Sequence, residues 1–198
     1  QTLSRRRSSG QGLVEEFSAI RGLLEELDYV RDWALTARGQ RLRRLYNESD
    51  LLLAECIEHG AFYALDPAET AALLSVFVYE PRTDQVSPAE WPTEELAGRW
   101  AMIEERWEEL IRRERAGRLT PTRRPDPGFA MTAHQWASGV EFESLSVTGM
   151  APGDFVRVSR QLADLLRQIR DGITEMSEEA ADALRMVDRG VVAAQGVG

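Results

Sequence analysis

Leu96, Trp100, Ile103, Trp107, Leu110 and Ile111 recur at three- and four-residue spacing through a stretch that contains no proline. That spacing gathers them on one stripe of an α-helix, whereas the alternation of a strand would split them between two faces. Thr93 supplies a capping oxygen at the start. On the wet side, Glu95 with Arg99, Glu108 with Arg112 and Glu109 with Arg113 stand four residues apart, a spacing worth about 0.2–0.5 kcal/mol per pair. An aromatic box that stacks bases would show a similar stripe, but core packing accounts for it without a ligand. The chain has to bury a long helix.

The same period organises the rest. Gln1 to Gly12 is polar, with Arg5, Arg6 and Arg7 among Ser, Gly and Gln, and reads as a flexible lead-in. A helix follows with Phe17, Ile20, Leu23, Leu24 and Leu27 on one face. Tyr29 to Leu35 reads as a strand or extended connector, and Thr36 as the cap of a short basic helix carrying Arg38, Arg41, Arg43 and Arg44. Ser49 or Asp50 caps a helix burying Leu52, Leu53, Cys56 and Ile57, with Gly60 as its stop. Asp66-Pro67 opens another, through Leu73, Leu74 and Phe77 to about Tyr79. Residues 81–92 and 118–128 are proline-bearing connections. Beyond them come a short helix over Phe129–Trp136 ending near Gly139, further turns over Phe142–Val147, and a long helix starting at Gly153 or Asp154. The long helix runs to about Ile173, and a last helix runs from Ser177 to about Ala194. The predicted class is all-α, a helical bundle with one long helix. The lead-in covers 1–12 and the helical domain 13–198. Within it lie a first half (13–80), the aromatic helix (93–117) and a second half (127–198) containing the long helix 153–173.

All 24 basic residues are arginine, against 33 acids, for a net charge of −9. Strong non-specific binding to nucleic acid comes from neutralising phosphates, so any such contact here is local and completed by other domains. The single cysteine, Cys56, excludes an internal disulfide and should be an inert core thiol. His59 and His134 have no metal-ligand spacing, and no metal site is expected. No apolar run approaches the ~18 residues of a membrane span, so a cytoplasmic protein without membrane contact is expected. No phosphate-cradling G-x-x-x-x-G-K-[ST] loop occurs, nor could it without lysine, and the hydrolase and zinc signatures are likewise missing. The chain alone is expected not to be an enzyme and to hold no cofactor.

The long helix carries an apolar seam of Phe155, Leu162, Leu166, Ile169 and Ile173. Opposite it lie Arg157, Gln161, Asp164 and Gln168, with Arg160 and Arg167 flanking. A helix buried on one side and bearing arginine and amides on the other can line a channel, or simply present a polar outside.

Several stretches, taken together, shift the balance toward the channel through a resemblance. Leu51-Leu52-Leu53-Ala54-Glu55, Gly60-Ala61-Phe62, Leu65-Asp66-Pro67-Ala68-Glu69 and Ala72-Leu73-Leu74-Ser75-Val76-Phe77-Val78 occur in that order. Trp136-Ala137-Ser138-Gly139-Val140-Glu141-Phe142, Gly153-Asp154-Phe155-Val156-Arg157-Val158-Ser159-Arg160-Gln161-Leu162 and Arg189-Gly190-Val191-Val192-Ala193-Ala194 follow, with Arg38-Gly39 upstream. Together, over about residues 14–195, they resemble the DSHCT domain of superkiller-type ATP-dependent RNA helicases, including the HelY-type enzymes of actinobacteria. The resemblance implies a helical accessory domain packed on two upstream RecA-like ATPase domains, which would hold ATP and Mg. It also implies a ratchet-like helix facing single-stranded RNA or DNA. On the family pattern the nucleic-acid contacts fall on Arg157, Arg160 and Gln161. A preceding helix contributes polar groups, here Gln135; the family often has acids there, where this chain has Thr132, His134 and Gln135. A rival reading is a winged-helix-like binding or protein-interaction module over residues 14–80, with Arg38 to Arg44 as its recognition helix. ATPase motifs upstream in the same reading frame would separate the two.

Overall fold

Capping chemistry sets the helix boundaries of the computed structural model, which describes residues 2–81, 90–145 and 150–194, with side chains from Gly12 onward. Helix α1 (Thr2–Glu26) leads into a minimal antiparallel hairpin, β1 (Val30–Arg31) with β2 (Ala34–Leu35), registered Val30 to Leu35. Thr2 to Gly12, expected from the sequence as a flexible lead-in, fall within the bounds of α1. Thr36 accepts from the Gly39 N–H and starts α2 (Ala37–Leu42). Gly39 is needed there, because a Cβ would stand 2.1 Å from the Tyr29 carbonyl oxygen.

Ser49 occupies the cap position of α3 (Asp50–Glu58) without a side-chain cap bond, and Gly60 ends the turn beyond it at φ 76°. Asp66 and Glu69 form a reciprocal capping box on α4 (Pro67–Ser75), which satisfies two N–H groups that the first turn leaves unpaired. Thr93 accepts from the Leu96 N–H and opens α5 (Glu94–Ala116). The expected Glu108–Arg112 ion pair does not form; Arg112 donates to the Glu108 backbone carbonyl instead. The connection between α4 and α5 includes residues 82–89, outside the described residues.

After α5, Glu114 is buried and accepts from the Thr122 N–H and hydroxyl at 2.7 and 2.6 Å, holding the proline-rich connection against the helix. A 3-10 turn (Pro127–Phe129) feeds α6 (Ala130–Ala137), and a second turn covers Phe142–Ser144. The turns anticipated toward Val147 fall on residues 146–149, outside the described residues. Helix α7 (Pro152–Gly172) starts on Pro152, one residue before the sequence suggests, and has no side-chain cap. Proline loses nothing at a position whose N–H would be unpaired.

The last predicted helix divides. Helix α8 (Ser177–Val187) ends at Asp188, and α9 (Gly190–Ala193) turns away at Gly190, φ 50°. Arg189 stands at the break, where its side chain meets Trp136. Helix α4 is buried on nearly every side and packs on α5, α6, α7 and α8. One core therefore runs through both halves of the sequence, an all-α fold.

Candidate nucleic-acid interface

The site is built on Phe155. Its ring is fully buried and meets Phe129 at 6.0 Å, Trp136 edge-on at 5.2 Å and Phe142 at 5.0 Å between centroids. Trp136 donates from Nε1 to the Val187 carbonyl at 2.8 Å. Arg189 lies 3.6 Å over the Trp136 ring and donates to the carbonyls of Trp136 and Val140 at 2.8 and 2.7 Å. The two carbonyls lie at the end of α6 and in the turn beyond it, so one guanidinium ties both to α8's end. Three separate sequence stretches, Trp136–Phe142, Gly153–Leu162 and Arg189–Ala194, thus close on one point and fix the start of α7. Arg189 is a residue that spacing alone does not reveal.

With its seam fixed inward (Phe155, Val158, Leu162, Leu165, Leu166 and Ile169 all within 1% of complete burial), α7 turns its polar stripe outward over 21 residues, about 30 Å. Arg157 is half exposed; Nη1 donates to Gln161 Oε1 at 3.1 Å, and Nη2 stands 3.9 Å from Asp154. Asp164 is held by Arg167, which also reaches Asp188. Gln168 Oε1 accepts from the Tyr46 N–H at 2.7 Å, tying the chain after α2 to the far end of the stripe. Gln161, Asp164 and Gln168 then form one wall of a groove of about 290 Å³, with Tyr46, Glu48 and Glu80 across it.

The other predicted contacts are placed differently. Arg160 is turned away to the C-terminus, donating to the Val192 and Ala194 carbonyls at 3.1 and 2.5 Å. It serves orphan acceptors at the end of α9. Gln135 is half-buried on α6 and is not part of the groove wall; of its neighbours, Thr132 is buried.

The basic helix α2 is spent inside the fold. Arg38 donates to Glu55 at 3.0 Å and to the Leu27 carbonyl at 2.9 Å, beside the Tyr29 ring; Arg41 is paired with Glu58. Glu55 also accepts from the Tyr29 hydroxyl at 2.7 Å, and burial with that carboxylate beside it pushes the phenol well above its ordinary range. A recognition helix needs its cations free, so the winged-helix reading loses Arg38 and Arg41. Cys56 is fully buried, and burial pushes its thiol up to about 12, which makes it inert at neutral pH. Among the described residues no group of His, Cys, Asp and Glu could hold a metal ion, and no helix is long and apolar enough to cross a membrane.

Residues 32–195 match the family model of the DSHCT (NUC185) domain. The chain belongs to the DSHCT family. It is 36% identical over 199 residues to a probable helicase, HelY, of Mycobacterium tuberculosis (strain ATCC 25618 / H37Rv), covering 91% of this chain and 22% of that protein. It is 26% identical to the ATP-dependent RNA helicase mtr4 of Schizosaccharomyces pombe, over 96% of this chain and 18% of that one. The antiviral helicase SKI2 of Saccharomyces cerevisiae is also 26% identical, over 80% of this chain and 13% of its own. The chain thus spans about a fifth of the length of the first relatives it matches. The DSHCT match takes in the hairpin from Asp32 on and every element of the Phe155 cluster, while α1 precedes it.

Proposed function

We propose that this DSHCT domain lines the single-stranded path of an ATP-dependent RNA helicase, with the outer stripe of α7 against the strand. The observation that carries the reading is Arg157. It is half exposed on a helix whose opposite face is locked, and its partners are an amide and a carboxylate nearly 4 Å away. A phosphate oxygen forms a shorter, charge-assisted bond to the same guanidinium, so exchange is favourable. Gln161 continues the contact one turn on, while Arg160 keeps α9 in place beside it.

ATP finds no fitting residues in this chain, which has neither lysine nor a glycine-rich phosphate loop. ATP and Mg would be held by RecA-like domains elsewhere in the same polypeptide, supplying the hydrolysis that drives translocation. The contribution of this chain is to orient the strand. With a net charge of −9, the domain by itself should bind RNA weakly, because phosphate neutralisation is what gives affinity.

The test is strand separation by the helicase polypeptide that carries this domain, as wild type, Arg157→Ala and Arg112→Ala. Arg112 is exposed on α5, far from α7 in sequence, and donates to the Glu108 carbonyl of its own helix. Arg157→Ala should slow unwinding several-fold and Arg112→Ala should not. Equal rates in all three would leave only the fold.

A further inference from the structure

We propose that the groove beside the middle of α7 is a subsite for one nucleobase, with Tyr46 as its stacking surface and the surrounding carboxylates selecting bases that carry an amino group. The inference rests on the strand path just proposed and names what that path reads.

Tyr46 is 79% exposed, and among the described residues no ring packs on it. Its backbone is nonetheless fixed, since the Tyr46 N–H donates to Gln168 Oε1 at 2.7 Å. A platform held in place loses less freedom on binding than a loose one. The same bond consumes the Gln168 oxygen and leaves its amide N–H groups to donate. Gln161 is arranged alike, its oxygen taken by Arg157. Arg157 and Gln161 are four residues apart, about 6 Å along the helix. A phosphate on Arg157 therefore has a groove beside it into which a base can turn.

Charge excludes the alternative occupants. Glu48, Glu80 and Asp164 line the groove against a single cation, Arg123. Arg123 is engaged with the Tyr79 carbonyl at 3.0 Å and with Glu80 at 3.8 Å. A phosphate would be repelled from such a place. A base brings a flat face for the tyrosine, and stacking on an aromatic side chain tolerates any base. The edge is where selection enters: carboxylates accept from exocyclic amino groups such as cytosine N4. Uracil has no exocyclic amino group and offers the carboxylates only its ring N3–H, so Glu48, Glu80 and Asp164 hold it less well than a base with an amino group. The volume, about 290 Å³, is at the small end of ligand clefts and suits one base.

The experiment is equilibrium binding of the helicase polypeptide to labelled oligo(A), oligo(U) and an abasic ribose-phosphate strand of equal length, with folding of each variant verified by circular dichroism. Tyr46→Ala should weaken oligo(A) binding about tenfold and leave the abasic strand unchanged. Tyr46→Phe should bind like wild type, as should Tyr63→Ala, a control at another exposed tyrosine (77%). Glu48→Gln should narrow the gap between oligo(A) and oligo(U). Arg157→Ala should weaken all three strands alike, which keeps the two readings separable. If Arg157→Ala is silent while Tyr46→Ala weakens the base-bearing strands and spares the abasic one, the phosphate assignment fails and the base subsite stands. The subsite is overturned if Tyr46→Ala binds as wild type, if it weakens the abasic strand equally, or if Tyr46→Phe loses as much as Tyr46→Ala. An unchanged gap in Glu48→Gln overturns the amino-group selection.

Discussion

Helices α1 and α7 carry the same kind of apolar stripe, yet they meet opposite fates. In α7 the seam from Phe155 to Ile169 is at most 1% exposed. In α1, among the residues with described side chains, only Leu23 is buried, while Leu13, Val14, Phe17 and Ile20 are 43–68% exposed. The stripe of α1 reaches cover only where Leu24 and Leu27 lean on the core. Helical periodicity states which face seeks cover; it does not state that the same chain supplies it. Helix α7 has α8, α4 and the Phe155 ring cluster beneath it, whereas α1 has the two-residue strands of a hairpin and, at its last turn, the Arg113–Glu26 ion pair to α5.

The sharpest way to break this comparison is Phe155→Ala. Removing a ring at which Phe129, Trp136 and Phe142 converge leaves a cavity that those rings cannot all collapse into, and such changes cost about 3–5 kcal/mol. Chemical denaturation of this chain measures it. A loss under 1 kcal/mol would mean that the cluster is not the keystone of α7, and the fixed polar stripe would lose its foundation.

The stripe of α5 gives an intermediate case. Trp100 is 6% exposed and packs at a tilt against Trp91, with ring centroids 5.7 Å apart. Trp107 is half-buried, with Nε1 donating to the Thr122 carbonyl at 3.0 Å and Arg124 over its ring. Trp100→Ala should therefore cost about 3 kcal/mol or more. Trp107→Ala should cost less, about 1–2 kcal/mol, chiefly by leaving the Thr122 carbonyl without its donor. Denaturation midpoints in the reverse order would show that the α5 stripe is covered from the connection after Gly117, and not from α3 and α4.

Much of this was legible beforehand because caps and stripes are local. Thr36, Asp66, Thr93 and Gly60 act within four residues of themselves, and the structure uses each where the sequence puts it. What escaped depends on distant partners. Arg160 and Arg157 are both arginines near one helical face, but only the arrival of α9 commits Arg160 to two backbone carbonyls. Arg189, at the break between α8 and α9, engages the ring and carbonyl of Trp136, 53 residues earlier. Arg38 and Arg41 resemble a recognition helix until α3 places Glu55 and Glu58 against them. The Tyr46–Gln168 link spans 122 residues, and no local pattern announces it.

The smallest expected effect is the most telling about α1. Phe17 is 56% exposed, and among the described residues its ring partner is Trp33 at 6.4 Å, itself 73% exposed under Arg21. An aromatic pair is worth about 0.5–1.5 kcal/mol beyond the area it buries, and here both rings remain largely wet. Phe17→Ala in this chain should thus cost no more than about 1 kcal/mol, and Leu13→Ala, with no ring contact, within about 0.5 kcal/mol. Urea denaturation of the two variants beside Phe155→Ala places all three on one scale. If Phe17→Ala approached the loss at Phe155, α1 would have to be buried in solution against something its present neighbours do not provide. If both α1 variants stay near wild type, the contrast holds: the same periodic pattern stabilises α7 because α4, α8 and the rings of Phe129, Trp136 and Phe142 meet it, and leaves α1 nearly indifferent because its two exposed rings give no such cover.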